Sequence, residues 1–582
     1  MTLRSRPSSR RPQRTAIGAD ARRTLYVNIG FTLVIAAAVL VLAGTAFASW
    51  YGEHMAAVAT VNGEAITKDQ VRARAKVELF RLEELDARTR DDVSLGRISE
   101  SEGQQRIYLI AQQAQYIDQL ALEREIDSTL IRQLGRARSV TVDPAAVDAK
   151  LTEEATTPAV RHAWVITVKP EVSTGATDPT ATQVEAARKE AEALQAGLAA
   201  GTTKWEDAVT SSDDGYASGN GDLLYVTADA TVPDEAFIAA IFALDANGIT
   251  PVVEGEDGAF RVGRVTDIVA ARTDETYQER ITDAGISLDD FRRTLQASVY
   301  RDEIEAQLLA EVVDAPSTQR RVSEIFIAGS ASDSTANEVK TRHILYAPND
   351  DPDAAADLAA DDPAWTKAEQ EARAAYDKLK AGTADFAELA RAESDDTGSG
   401  ASGGDLGYYT PESAAAAGFD PAYTDAIFAD GLADGQLLEP VKSSFGWHVI
   451  QILDIRPPAS VRITEVAQKA AAAGADFAAL AKEYSDGDEA EQGGDLGWVA
   501  RYQLDTDTEA TIFALQAGQV SEVITGDDGF YLYKVVAVED RRPDEAQAKE
   551  LRANAFDNWY SGVKYDTAQT TIERLDASFS AV

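Results

Sequence analysis

Three times along this chain a bulky aromatic residue opens a short helix-prone segment, a Ser-Asp pair follows, and a glycine-rich turn closes the set. The middle occurrence reads Asp385-Phe386-Ala387-Glu388-Leu389-Ala390, then Ser394-Asp395-Asp396, then Gly403-Gly404-Asp405-Leu406-Gly407-Tyr408-Tyr409. The last reads Asp476-Phe477-Ala478-Ala479-Leu480-Ala481, Ser485-Asp486-Gly487 and Gly493-Gly494-Asp495-Leu496-Gly497-Trp498. The first is looser: Trp205-Glu206-Asp207-Ala208-Val209, Ser212-Asp213-Asp214 and Gly221-Asp222-Leu223-Leu224-Tyr225. Each set is followed by Ile-Phe-Ala, at Ile241, Ile427 and Ile512. An internal repeat of this kind predicts three copies of one folding unit. A chain of 582 residues is also too long for one core, since domains run to about 100–200 residues.

Strands bracket the middle set. Lys340-Thr341-Arg342-His343-Ile344-Leu345-Tyr346 is β-prone and ends at Pro348, and Phe445-Gly446-Trp447-His448-Val449-Ile450-Gln451-Ile452 is a second such run with its own histidine. Ahead of the first set, Arg161-His162-Ala163-Trp164-Val165 parallels Arg342 to Tyr346. Its closing strand, Asp257-Gly258-Ala259-Phe260-Arg261-Val262, carries Phe260 at the second histidine position. The third set has no strand directly before it and puts Tyr531 in that position, so it is expected to be truncated at its front. Between the first two sets, 288–309 is an amphipathic helix with Phe291, Leu295, Val299 and Ile304 on one face. The β-prone segment 322–327 follows it, with its pairing partner left open.

The N-terminal region fixes location. Arg4, Arg6, Arg10, Arg11, Arg14, Arg22 and Arg23 precede an apolar run over 25–48. Such a run crosses about 30 Å of hydrocarbon as a helix, and the arginines stay cytoplasmic. A retained single-pass anchor is the first reading. A cleaved, secreted form is the alternative, because Ala46-Phe47-Ala48 has the small-x-small form of a cleavage site. Asn62-Gly63 then predicts a tight turn, Thr67 with Gln70 a capping box, and 99–126 a helix with Ile110, Ala114, Ile117 and Ala121 on one face. Asp143-Pro144 starts another helix, and a last one follows Pro543.

Taken together, the strands, the helix motif, the Gly-rich turn and the two histidines resemble the parvulin family of peptidyl-prolyl isomerases. Val58-Ala59-Thr60-Val61-Asn62-Gly63-Glu64-Ala65-Ile66-Thr67 is similar to the entry into the chaperone region of SurA- and PrsA-type foldases. The resemblance implies an α+β fold: an N-terminal membrane helix, a helical chaperone-like domain, three parvulin-like units of small antiparallel sheets with flanking helices, and a C-terminal helix. The expected boundaries are a basic tail at 1–24, an anchor or signal at 25–50, a helical domain at 57–157 and a degenerate unit at 158–270. A helical connector at 285–330, the isomerase unit at 338–458, a truncated degenerate unit at 460–540 and a helix at 543–582 complete the chain.

In the middle unit the resemblance places His343 and His448 on the family's two strand histidines and Asp396 at its cysteine-or-aspartate position. Phe419, Tyr423 and Phe445 fall where the apolar residues that grip proline stand. The function implied is isomerisation of Xaa-Pro bonds in unfolded or partly folded exported polypeptides, without a cofactor. A holdase or scaffold that binds clients without catalysis is the alternative. The loop Asn349-Asp350-Asp351-Pro352-Asp353 lacks the basic cluster of phosphate-directed parvulins, so unmodified substrates are expected.

Composition removes several other classes. A net charge of −42 repels phosphate backbones and argues against nucleic-acid partners. Cysteine is absent, which excludes disulfides and thiol catalysis. Four histidines, at 54, 162, 343 and 448, show no metal-ligand spacing. Gly400-Ala401-Ser402-Gly403-Gly404 matches a nucleophile-elbow pattern, but it sits in a Gly/Ser loop rather than between strand and helix. Sequence leaves client identity and oligomeric state open.

Overall fold

The structure is a computed structural model that describes residues 19–173, 179–329, 336–576 and 579–581. The arginines at positions 4 to 14 lie outside the described residues. The architecture is α+β, as expected. It forms two compact units, 1–306 with 563–582, and 307–562.

In the first unit, helix Ala19–His54 contains the stretch Phe31–His54, with a mean hydropathy of 2.4 and none of it buried. That stretch is long and apolar enough to cross a membrane. Strands Ala57–Val61 and Glu64–Thr67 form a hairpin. Its turn uses Asn62 (φ 50°) and Gly63 (φ 81°), the pair of left-handed residues that a twisted two-residue hairpin requires. The third strand of this sheet, Ile572–Arg574, comes from the far end of the chain, with Ala59 opposite Arg574. Thr67 and Gln70 form the capping box of helix Lys68–Ser94, and Asp143 caps helix Pro144–Glu154.

The single helix expected over 99–126 is two, Glu100–Gln115 and Ile117–Ala137. Tyr116 leaves the helical region between them (φ −104°, ψ 25°). After this break Ile117, Ala121, Ile126 and Leu130 are buried. Phe291, Leu295 and Val299 of helix Leu288–Val312 close a core with Val77, Phe80, Val147, Leu151, Tyr277 and Ile281.

Three four-stranded antiparallel sheets share one strand order. In the first it is Asp222–Thr227, Val160–Val168, Phe260–Val269, Val253–Glu254. In the middle one it is Asp405–Tyr409, Glu338–Tyr346, Trp447–Arg456, Val441–Lys442. The third is Asp495–Val499, Ser317–Ala328, Gly529–Arg541, Ile524–Thr525.

The third sheet corrects two expectations. It is not truncated: its first strand is Ser317–Ala328, which pairs with Gly529–Arg541 from Ala328 opposite Gly529 to Ser317 opposite Arg541. The connector expected over 285–330 therefore ends in a strand of this sheet, which also answers where 322–327 pairs. The middle unit is inserted between that first strand and the rest of the third unit. Glu338 pairs with Arg456 across adjacent strands, so the insert's two ends lie side by side. A clamp holds this junction: Glu338 accepts from Arg456 (2.6 Å), from Arg462 (3.2 Å) and from the Ala459 N–H (3.1 Å).

Candidate active site

The middle sheet sorts its side chains by strand alternation. Ile344, Tyr346 and Val449 pack against Ala368, Ala372, Ala375, Phe386 and Leu389 of the helices on one face. The intervening His343, Leu345 and His448 therefore face the other side, where Tyr423, Ile427 and Ile450 form a second core with Phe419 at its edge. Backbone staples fix the register of the surrounding loops. Leu345 N–H donates to the Ser394 hydroxyl (3.2 Å), Asp395 N–H to the Leu345 carbonyl (2.9 Å), and Ala347 N–H to the Asp395 carboxylate (2.7 Å). His343 N–H donates to the Gly404 carbonyl at 2.9 Å. A Cβ on Gly404 would lie 2.1 Å from the His343 carbonyl oxygen at φ +82°, so the turn requires glycine there.

On this scaffold the polar side chains form a chain of contacts. Ser443 Oγ lies 2.7 Å from His448 Nε2, and His448 Nδ1 lies 3.0 Å from His343 Nδ1. His343 Nε2 donates to Asp396 Oδ2 at 2.8 Å and lies 3.0 Å from Ser399 Oγ. Asp396 also caps helix Thr397–Gly400 and accepts the Gly398 and Ser399 amides. His343 and His448 are 6% and 5% exposed, with their rings stacked at 5.2 Å.

The hydrogen bond from His343 is the main reason the Asp396 carboxyl ionises well below the usual range, against the opposing effect of burial. Burial, helped by the neighbouring His343, pushes His448 down to about 3. His448 is thus neutral at physiological pH. The proton on His343 Nε2 faces the carboxylate, and a single proton is shared between the two Nδ1 atoms.

Aromatic rings complete the cavity. Tyr423 meets His343 and His448 edge-on at 5.7 and 5.1 Å, and its hydroxyl lies 3.2 Å from Thr341 Oγ1. Phe419 stands perpendicular to Tyr423 at 5.5 Å and packs on Tyr409 at 4.5 Å. Phe445 lies at the mouth, 40% exposed. The six residues singled out in the sequence, His343, Asp396, Phe419, Tyr423, Phe445 and His448, all line one cavity of about 380 Å³. Among the described residues no group of three or more His, Cys, Asp or Glu is arranged to hold a metal ion.

Sequence reasoning passed over four participants. Ser399 and Ser443 end the polar chain, Leu406 lines the cavity, and Asp420 caps helix Pro421–Ile427 while accepting the Ser444 hydroxyl and amide (2.6 and 2.9 Å). The Asp420-Pro421 pair carries the same helix-start signal as Asp143-Pro144. The two serines sit in Gly/Ser-rich loops whose composition gives no individual signal. Ser402 is exposed in the turn that follows Ser399 and does not line the cavity.

The staples also define which residues correspond between sheets. Val165 N–H bonds to Gly221, and Glu324 N–H to Gly494, as His343 does to Gly404. The residue in the place of His343 is therefore Val165 in the first sheet and Glu324 in the third. This corrects the expected match of His162, which lies three residues upstream and pairs with Asp222 as Lys340 pairs with Asp405. The Arg-His identity was coincidental. Similarly, Arg261 and not Phe260 takes the place of His448: it stands opposite Thr167 as His448 stands opposite Leu345. The turn before Arg261 is one residue longer, closing from Gly255 to Ala259 where the middle turn closes from Ser443 to Gly446.

Family profiles for the PPIC-type PPIase domain match residues 169–279, 328–456 and 456–537. The chain belongs to the parvulin-type peptidyl-prolyl isomerases. Among similar proteins, the Chaperone SurA of Saccharophagus degradans is 26% identical over 334 residues, 53% of this chain and 72% of that protein. The Chaperone SurA of Photorhabdus laumondii is 40% identical over 143 residues, 25% of this chain and 28% of that protein. A solved SurA-like chaperone of Campylobacter jejuni is 18% identical, covering 44% of this chain and 99% of the other, with a TM-score of 0.19, too low to bear on function. This parvulin has the PPIC match in all three units, so membership alone does not choose among them.

Proposed function

We propose that the middle unit, 338–458, is the isomerase of this chain and that the first and third units are accessory. The observation that carries this reading is the co-occurrence, in one sheet of three, of the His343–His448–Asp396 chain and an aromatic-lined cavity. An Xaa-Pro bond rotates over a barrier of about 18–20 kcal/mol set by amide resonance, and no covalent step is needed to lower it. Phe419, Tyr423 and Phe445 hold the proline ring in a site with little water. Planar resonance places negative charge on the carbonyl oxygen, and the twisted amide loses it. A carboxylate such as Asp396 facing that oxygen destabilises the planar form relative to the twisted one. The buried imidazoles act as positioning residues that keep Asp396 ionised and oriented.

The clients are unfolded exported polypeptides, in keeping with the similarity to SurA chaperones. The helix containing Phe31–His54 anchors the chain, with the catalytic part outside the membrane. Its far end carries Phe47 against Trp50 and Tyr51, and Trp and Tyr are the amphipathic aromatics favoured at a membrane–water interface. The test is prolyl isomerisation of unphosphorylated Xaa-Pro peptides by the full chain and by the excised segment 336–458. Activity in both supports the reading. Activity in the full chain but not in a well-folded 336–458 moves the site elsewhere, and activity in neither leaves a holdase.

A further inference from the structure

The cavity that receives proline has an uneven charge. Its lining contains four carboxylates, Asp353, Asp395, Asp396 and Asp420, and no lysine or arginine. The hydrogen-bond partners holding two of them, Asp395 and Asp420, are uncharged donors. Asp395 is held by the Ala347 amide, Asp420 by Ser444 and the Ala422 amide, and Asp396 by Ser399, Gly398 and a histidine N–H. The basic side chains around it are engaged elsewhere: Arg342 lies over Phe386 at 4.4 Å and donates to Gln451, Lys442 lies over Trp365 at 4.0 Å, and Lys367, whose charge is felt at Asp395, pairs with Asp350 and Glu371. The negative charge of the cavity is therefore not cancelled by its own walls.

Apolar and charged parts of the lining divide the work. Phe419, Tyr423, Phe445 and Leu406 provide surface for a proline ring, and the remaining wall, with Pro352, Asp353 and Asp395, is left for the side chain beside it. Asp353 lies in the first turn of the short helix Pro352–Ala355 and is exposed, so a flexible side chain reaches it without displacing the fold. Low-dielectric walls focus the field of such a cleft on whatever enters it.

We infer that this isomerase selects Xaa-Pro bonds in which the residue preceding proline is lysine or arginine, and disfavours acidic or phosphorylated residues there. The inference rests on the reading of the middle unit as the isomerase. The protein's overall charge of −42 acts in the same direction, drawing basic segments of a client toward the surface.

The test uses the full chain in detergent and tetrapeptides Ala-Xaa-Pro-Phe with Lys, Ala or Glu before proline, with rates read by NMR exchange at low and high salt. We expect kcat/KM in the order Lys, Ala, Glu. With several carboxylates acting at short range, the Lys-to-Glu ratio should reach about tenfold or more at low ionic strength. It should shrink at 0.3 M salt, as an interaction through solvent-exposed charges must. Asp353→Lys should lower the ratio several-fold. Turnover of the alanine peptide with a flat or reversed ratio overturns the specificity while leaving the isomerase reading intact. Turnover of none of the peptides overturns both.

Discussion

The middle and third sheets share a skeleton and differ in what they present from it. Both use a Ser-Asp pair to staple the first strand, Ser394-Asp395 on Leu345 and Ala347, Ser485-Asp486 on Phe326 and Ala328. Both set a glycine against the strand's carbonyl, at Gly404 and Gly494. In front of that skeleton the middle sheet has His343, His448, Asp396 and Tyr423. The third has Glu324, Tyr531, Gly487 and Thr508 at the matching places, as fixed by strand register and helix cap. Burial, with Glu489 and Asp528 nearby, pushes the Glu324 carboxyl up despite its bond from Tyr533, the opposite of Asp396, which the His343 N–H holds down. The most repetitive residues of this chain thus belong to the fold, and the proposed chemistry draws on positions where the copies diverge.

The first sheet extends the comparison. Where the middle sheet buries neutral His448, the first buries Arg261 between Asp234 (2.8 Å) and Asp257 (2.6 Å). Arg261→Ala leaves the largely buried Asp234 without its cation, while the half-exposed Asp257 turns to solvent, and should destabilise the first sheet by about 3 kcal/mol, read by thermal or urea unfolding. Isomerisation should be unchanged. A matching fall in activity in a folded variant would break the assignment of roles.

Phe419→Ala should lower kcat/KM about 100-fold, which is about 2.7 kcal/mol of transition-state stabilisation, with little change in Tm. The matching Leu504→Ala in the third unit should leave activity intact. Tyr423→Ala is a poorer probe: Tyr423 is 3% exposed within the second core, so truncation should cost about 3–5 kcal/mol of stability as well.

The smallest effect concerns pH. The His448 pKa is lowered to about 3 in the fold, whereas an unfolded imidazole titrates near 6.5, so the unfolded state takes up the proton first. Stability from keeping this group neutral is complete above about pH 6.5 and is lost progressively as pH falls towards 3. Between pH 7.5 and 5 the loss should be about 2 kcal/mol. Asp396 is shifted in the same downward sense, and its contribution is lost only at lower pH, whereas the raised carboxyls of Asp395 and Glu324 gain stability as pH falls, so the His448 share is the difference between the wild type and His448→Phe. Amide hydrogen exchange along strand Trp447–Arg456 should report the loss, and His448→Phe should flatten it.

Much of this was legible in the sequence, for local reasons. Capping at Thr67 and Asp143 and the apolar face of Leu288–Val312 follow from spacings within one element, whereas the pairing of the two histidine strands, whose histidines lie 105 residues apart, was legible only through the resemblance to parvulins. Failures arose where contact is non-local. Ser317–Ala328 is separated from its sheet by the entire middle unit, and no local pattern announces an insertion. The offsets at His162 and Phe260 came from matching letters, when the true register is set by backbone bonds to Gly221 and by a one-residue-longer turn.

The inserted topology offers the most direct test of the central claim. Because Glu338 and Arg456 are paired neighbours, replacing 338–456 by a short flexible linker should leave the third sheet closed. Prolyl isomerisation by this shortened chain is the measurement to make, alongside circular dichroism to confirm folding. The account predicts that isomerase activity disappears while the remaining sheets persist. Retention of activity comparable to the full chain would contradict it and place catalysis in the first or third unit.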